Sequence, residues 1–285
     1  MSKVRQHKLT EKNPILSSIL KGIAGIVVLQ GLMVIINTIV SIFVEGYPNS
    51  YGPVGVIISS VLILWLFKSW FNPEYAGSIK GGQYNSVWVI VLAYVTYLIV
   101  VFISDMTFYG SKVAFPGING IFISLMAGVT EEACFRGLMV PVLMRRYGKN
   151  NLLVPLLVPS IIFGLVHGSN ALFGANIGAT VGQVINSIFV GVALTAIYLL
   201  SGNILIPMAV HTLHDILAFA FEGLEESNGI ITEGIDIYGI LDLGFGAILF
   251  VFAMYYMTRP KNVEKVLELW NNKWVIPDKE TAPEV

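Results

Sequence analysis

Residues 118–142 read INGIFISLMAGVTEEACFRGLMVPV. The run is long enough to cross a bilayer, since about 20 mainly apolar residues span roughly 30 Å of hydrocarbon. Near its middle, however, stand Glu131, Glu132 and Arg136. At the centre of a membrane helix, each such charge costs about 2.5 to 3.5 kcal/mol and marks a functional candidate. Whether this run lies in lipid is decided by the rest of the chain.

The chain has 285 residues, 55% of them hydrophobic and 12% charged, with a mean hydropathy of +0.75. Soluble domains carry about 25% charged residues. A water-soluble enzyme, a nucleic-acid binder and a disordered scaffold are therefore disfavoured. Seventeen basic and eighteen acidic residues leave a net charge of −1, so no polyanionic partner is expected. The single cysteine, Cys134, rules out an internal disulfide framework. The expected fold is all-α: a polytopic membrane protein of about eight transmembrane helices enclosing a polar cavity. The apolar stretches fall at 22–44, 54–71, 87–104, 118–142, 152–167, 178–200, 204–221 and 238–257. The fifth and seventh are short. The first is too long for a signal-peptide core, and no small-residue cleavage site follows it.

An even number of spans puts both termini on one side of the membrane. With eight spans, fifteen of the seventeen basic residues fall on that side. Lys112 lies in an opposite loop and Arg136 inside a span, while Glu45, Asp105 and the acids between Glu222 and Asp242 collect on the other side. The positive-inside rule then makes both termini cytoplasmic in a multi-pass cell-membrane protein. The expected organisation is a cytoplasmic tail at 1–21, one transmembrane domain at 22–257 and a cytoplasmic tail at 258–285. In the last, Val263, Val266, Leu267 and Trp270 recur at helical spacing, so a helix lies on the inner membrane face or in solvent. Gly174, Gly178 and Gly182 follow the small-xxx-small spacing of packed membrane helices.

Ionisable or polar residues interrupt the apolar spans at three places. In the first, Glu132 and Arg136 are four apart and can pair, while Glu131 sits about 100° round the helix and faces another neighbour. An ion-pair knot holding helices together is the plain alternative, but it has no use for the second carboxylate. The second is Phe163–His167 at the end of span five, where a lone His is often hydrogen-bonded packing. The third is His211-Thr212-Leu213-His214-Asp215 in span seven, whose imidazoles and carboxylate could serve catalysis, a metal or helix packing. Polar groups in a bundle face one another, so a water-holding cavity among spans four to seven follows, with Gln183, Asn186 and Ser187 of span six on its wall. Depths disagree, however. At 1.5 Å per residue Glu131 lies about 22 Å from Arg146, and His211 about 12 Å from Asn203. Either the turn at 201–203 is sunk, or span four projects from the membrane.

The ordered set Glu131, Glu132 and Arg136, then Phe163 and His167, then His211 and Asp215 resembles the CAAX protease and bacteriocin-processing (Abi) family, which contains the type II CAAX prenyl endopeptidases and many bacterial relatives. The resemblance covers about residues 118–221. It implies an eight-helix intramembrane endopeptidase of the glutamate type, with Glu131 as base on a water, His167 aiding it, and His211 with Asp215 at the oxyanion. Glu132, Arg136 and Phe163 would support them. Where prenyl endopeptidases carry Asn, this chain has Asp215, which when ionised cannot donate a hydrogen bond. Asp215 could instead orient His211. The departure points to the bacterial branch, with peptide processing or bacteriocin self-immunity as its roles. Membrane lipid and a peptide or membrane-protein substrate would be the partners.

The residues support hydrolysis without the family, since they offer a base for water and a donor for the oxyanion. The zincin His-Glu-x-x-His, a Gly-x-Ser-x-Gly site and an aspartyl Gly-x-Gly-Asp motif are all absent. Cys134 reads as packing. No cofactor is required, though a metal held by His167, His211 and a carboxylate stays open. Two other classes compete: a non-catalytic interaction or immunity protein built on the same fold, and a proton-coupled transporter, for which no inverted repeat is visible.

Overall fold

A computed structural model describes residues 12–82, 85–108, 112–221 and 237–274. The fold is all-helical. In chain order the helices are α1 (Pro14–Ser41), α2 (Pro53–Leu66), α3 (Val87–Phe108), α4 (Ile118–Glu132), α5 (Val140–Tyr147), α6 (Leu153–His167), α7 (Ile177–Ser201), α8 (Leu205–Ala218), α9 (Ile237–Met257) and α10 (Pro260–Lys273). A wide π turn, Phe67–Phe71, prolongs α2; another, Ala133–Met139, joins α4 to α5; a 3-10 turn, Gly168–Phe173, prolongs α6.

Seven helical runs among the described residues are long and apolar enough to cross a membrane. They match the apolar stretches expected from sequence, apart from the seventh, so the chain is a multi-pass membrane protein. The seventh, α8, has only 14 residues, about 21 Å at 1.5 Å each, which falls short of the hydrocarbon thickness. It forms a hairpin with the more deeply buried α7, joined through Gly202 in the left-handed conformation (φ 63°).

That hairpin turn is sunk beneath a cap of protein. The Tyr75 and Tyr198 hydroxyls lie 2.9 Å apart, Ile204 N–H donates to the Ser78 carbonyl at 2.9 Å, and Gly82 N–H to that of Ser201 at 3.1 Å. Helix α10 closes over them: Trp270 donates to the Leu199 carbonyl at 2.9 Å, and Lys273 to that of Gly77 at 2.8 Å. Irregular backbone at membrane depth survives where protein buries it, and the cap supplies that burial. At the same end, the run Ile118–Tyr147 spans 30 residues, about 45 Å, and ends at Arg145, which reaches Glu74 at 2.8 Å. The depth mismatch is thus absorbed within the protein: the turn at 201–203 lies under the cap, while the fourth run continues to the level of the cap itself.

Two sequence expectations are corrected here. The helix at 260–273 forms, but Val266, Leu269 and Trp270 are buried against protein instead of facing lipid headgroups or solvent. Gly174 and Gly178 do not bring helices together, either. Gly174 ends the 3-10 turn at φ 97° with open space about it, and Gly178 is met only by its own capping residue, Asn176. The close crossings use other glycines. A Cβ at Gly164 would run into Ile188 and lie 2.7 Å from the Val184 carbonyl oxygen of α7; one at Gly128 would strike the Thr212 hydroxyl and lie 2.6 Å from its nitrogen on α8.

Candidate active site

The Gly128–Thr212 crossing sets the site. It presses α4 onto α8 one turn before Glu131 and one residue after His211, so the first and third motifs meet. From Glu132 the helix widens into the π turn, in which Ala133 to Met139 are all buried. Wide turns of this kind recur at functional sites. Pro141, with no N–H to give, limits the ladder from the far side.

The two glutamates differ sharply. The Glu132 side chain is 0% exposed and Glu131 30%. Glu132 Oε1 accepts from Arg136 Nη1 at 2.6 Å and meets His211 Nδ1 at 2.9 Å. Arg136, itself 0% exposed, spends its other donors on Thr195 Oγ1 (3.2 Å) and the Gly191 carbonyl (3.0 Å), and Thr195 is shared with Ser160 at 3.1 Å. Gly191 lets the guanidinium in, since a Cβ there would sit 3.3 Å from Nη2. A buried ion pair persists only with such additional hydrogen bonds.

Glu131 instead faces a cavity of about 620 Å³ whose lining includes His167, His211, His214 and Asp215. Gln183, Asn186 and Ser187 line it as the sequence leads one to expect. His211 Nε2 lies 3.9 Å from Glu131 Oε2 and 3.7 Å from Asp215 Oδ2. Phe163 wedges the motifs together: its ring stands edge-on to His167 (4.8 Å) and His211 (5.7 Å), and the Arg136 guanidinium lies 4.6 Å over it. Charge pairing, aromatic edges and the glycine crossing thus bring the three motifs together: Glu131, Phe163, His167, His211 and Asp215 line the chamber, and the Glu132–Arg136 pair is buried behind it.

Hydrogen bonds fix which ring nitrogens carry protons. His167 Nδ1 lies 2.9 Å from the Phe163 carbonyl, which only accepts, so Nδ1 is the protonated nitrogen and Nε2 of the neutral ring holds a lone pair. His211 Nδ1 likewise donates to the Glu132 carboxylate, so its Nε2 becomes a donor only in the doubly protonated ring. His214 is the reverse. Its Nδ1 meets the Tyr94 hydroxyl at 2.9 Å, and Tyr94 is fully buried. A buried hydroxyl proton needs an acceptor, so Tyr94 donates and the neutral His214 carries its proton on Nε2. Tyr97 also packs edge-on against this ring, at 6.1 Å, and is bonded to Asn186.

Sequence reading missed Tyr94 and the tautomer it imposes. A tyrosine in an apolar span gives no sign of its partner; the cue was a third imidazole, His214, one turn beyond His211 and in need of one. Among the described residues, no three His, Cys, Asp or Glu are disposed to hold a metal ion. Cys134 is buried and lines the chamber's closed end.

Compared with known proteins, the chain matches no curated protein and no solved structure. The family to which the three motifs pointed does match: residues 113–217, which hold all seven motif residues, fit the family model described as type II CAAX prenyl endopeptidase Rce1-like.

Proposed function

We propose that the chain is an intramembrane endopeptidase of the bacterial branch, hydrolysing a peptide bond with a water activated by Glu131 and His167. The observation that carries this reading is the division of labour between adjacent carboxylates: Glu132 is dry and locked to Arg136, while Glu131 is wetted by a chamber that also holds three imidazoles. A structural knot would need the first and leave the second without a task.

In the proposed reaction the Glu131 carboxylate takes a proton from a chamber water, aligned by the lone pair on His167 Nε2. The resulting hydroxide attacks the carbonyl carbon, and the electron pair of the C=O bond moves to oxygen. That oxyanion accepts hydrogen bonds from Nε2–H of protonated His211 and from His214. As the tetrahedral intermediate collapses, the C–N bond breaks and Glu131 returns its proton to the leaving amine. Asp215, 3.7 Å from His211 Nε2, balances the imidazolium charge in place of donating. Peptide processing or bacteriocin self-immunity would be its role, with both termini cytoplasmic.

The test is Glu131→Gln in purified, lipid-reconstituted protein offered a peptide library. The variant should fold and lose about 10²–10⁴-fold of its cleavage rate, the usual span for a general base. Unchanged cleavage would remove this mechanism. A variant that keeps its effect in cells without cleaving would establish the non-catalytic interaction reading instead.

A further inference from the structure

The chamber has one closed and one open end, which lie toward opposite ends of the helix bundle. Its lining runs from Phe135 in the π turn back to Ile123 on α4; from Phe163 on α6 forward to Asn170 in the 3-10 turn; on α7 from Leu194 back to Gln183; and from His211 on α8 forward to Phe219 just past its end. The helices alternate in direction, so all four series lead the same way: from the motif layer toward the start of α4, the end of α6, the start of α7 and the end of α8. Exposure follows. Cys134, Phe135, Val190 and Leu194 at the closed end are buried, whereas Val166, Ser169 and Ala218 toward the other end are exposed. Below the closed end lies the dry Glu132–Arg136–Thr195–Ser160 network, and below that the cap over the turn at 201–203.

The basic residues gather at the capped end. Lys68, Lys80, Arg145, Arg146, Lys149, Arg259 and Lys261 all sit there, as do the exposed indoles of Trp65, Trp70 and Trp88. Among the described residues, only Lys112 stands at the open end. Basic residues mark the cytoplasmic side, and tryptophans the membrane interface.

From these two asymmetries we infer that the chamber opens away from the cytoplasm, and that its substrate is a peptide segment presented at the extracytoplasmic face of the membrane, not a cytosolic chain end. This deepens the endopeptidase reading and rests on it for the word substrate, but the direction of the opening does not. An apolar rim stands at that end: Phe115, Leu172, Phe173 and Ile177 are exposed and suited to the outer lipid interface. A segment with apolar residues beside its scissile bond could thus lie at the interface before entering.

Two arms test this separately. In a Cys134→Ala background, Leu172→Cys, at a position 85% exposed, and Lys149→Cys, exposed at the other end, are treated in intact cells (spheroplasts where an outer membrane intervenes) with a membrane-impermeant maleimide. Position 172 should label at least tenfold faster than position 149; equal rates, or the reverse, overturn the inference. In the second arm, a peptide that the purified protein cleaves is supplied outside cells making the full chain. It should be cut there, and not by Glu131→Gln cells. A peptide cut by the purified chain but spared outside cells overturns access from that face. Labelling as expected, with no peptide cut by the purified chain, sinks the hydrolase reading alone.

Discussion

Glu132 Oε1 is shared by Arg136 Nη1 at 2.6 Å and His211 Nδ1 at 2.9 Å, so one buried oxygen ties the first motif to the third. The other oxygen, Oε2, has no hydrogen-bond partner among the described residues. Substituting Glu132 therefore strands a guanidinium that is 0% exposed. Breaking a buried pair by removing one partner costs about 3–5 kcal/mol. Glu132→Gln should lower unfolding stability in micelles by that order, whereas Glu131→Gln, at a wetted position, should leave it within about 0.5 kcal/mol. Denaturant titration of the two variants beside the parent gives the comparison, and equal stabilities would contradict the assignment of dry and wet carboxylates.

The Tyr94 hydroxyl sets the protonation pattern of His214. Tyr94→Phe removes the donor to Nδ1 and frees the ring to place its proton on either nitrogen. With four histidines in the chain, selective nitrogen-15 labelling resolves the ring. The parent should show an unprotonated Nδ1 and protonated Nε2, and Tyr94→Phe a mixture. If His214 donates to the oxyanion, His214→Leu should lose about 10²–10³-fold in kcat, as removal of one such donor does elsewhere. His214→Gln, whose amide can place a donor near the Nε2 position, should recover part of the loss with little change in KM. An Nδ1-protonated ring in the parent would end this account.

The Gly128 crossing holds the motifs in register. In Gly128→Ala the new Cβ would meet the Thr212 hydroxyl and sit 2.6 Å from the Thr212 nitrogen. Backbone cannot swing aside as a side chain can, so α4 and α8 must part and Glu131 must move off His211. Cleavage should drop by about 10²-fold, since a misplacement near 1 Å costs that much. Thr212→Ala removes the hydroxyl but not the backbone contact and should not restore it. Gly31→Ala, at a helix position with nothing within 4 Å, is the control: it should be neutral, or stabilising by up to about 1 kcal/mol.

The sequence carried the membrane class, the apolar runs and all seven motif residues, because a charge within an apolar run has few explanations and helical spacing limits which charges share a face. Glu131 and Glu132 could be told to face different neighbours from their 100° offset, but not which one would be wet. That depended on Arg136 finding Gly191 and Thr195, some 55 residues and more away. The π turn left no local signature beyond Gly137 and Pro141. Helix α10 was legible as amphipathic, yet its partner was not: the surface that buries Trp270 comes from α7 and Tyr75, distant in sequence and apolar as lipid is.

The cap over the α7–α8 turn contains its own titrating group. Lys273 is buried beside Tyr75 and Trp270, with its Nζ 5.5 and 5.3 Å from their ring centres and 2.8 Å from the Gly77 carbonyl. Rings and carbonyl favour the ammonium, but loss of water outweighs them and brings the amine down from 10.5 to about 7. Between those values the unfolded cap holds a proton that the folded one has released, so folded stability rises with pH across that window and is flat below about 7. Protonation therefore weakens the docking of α10, most fully at acidic pH. Unfolding followed by Trp270 fluorescence, with the other four tryptophans replaced, should show a midpoint that climbs from pH 7 to 10. Lys273→Met keeps the apolar stem without the amine and should flatten that slope; a slope that persists in the variant would assign it to another group.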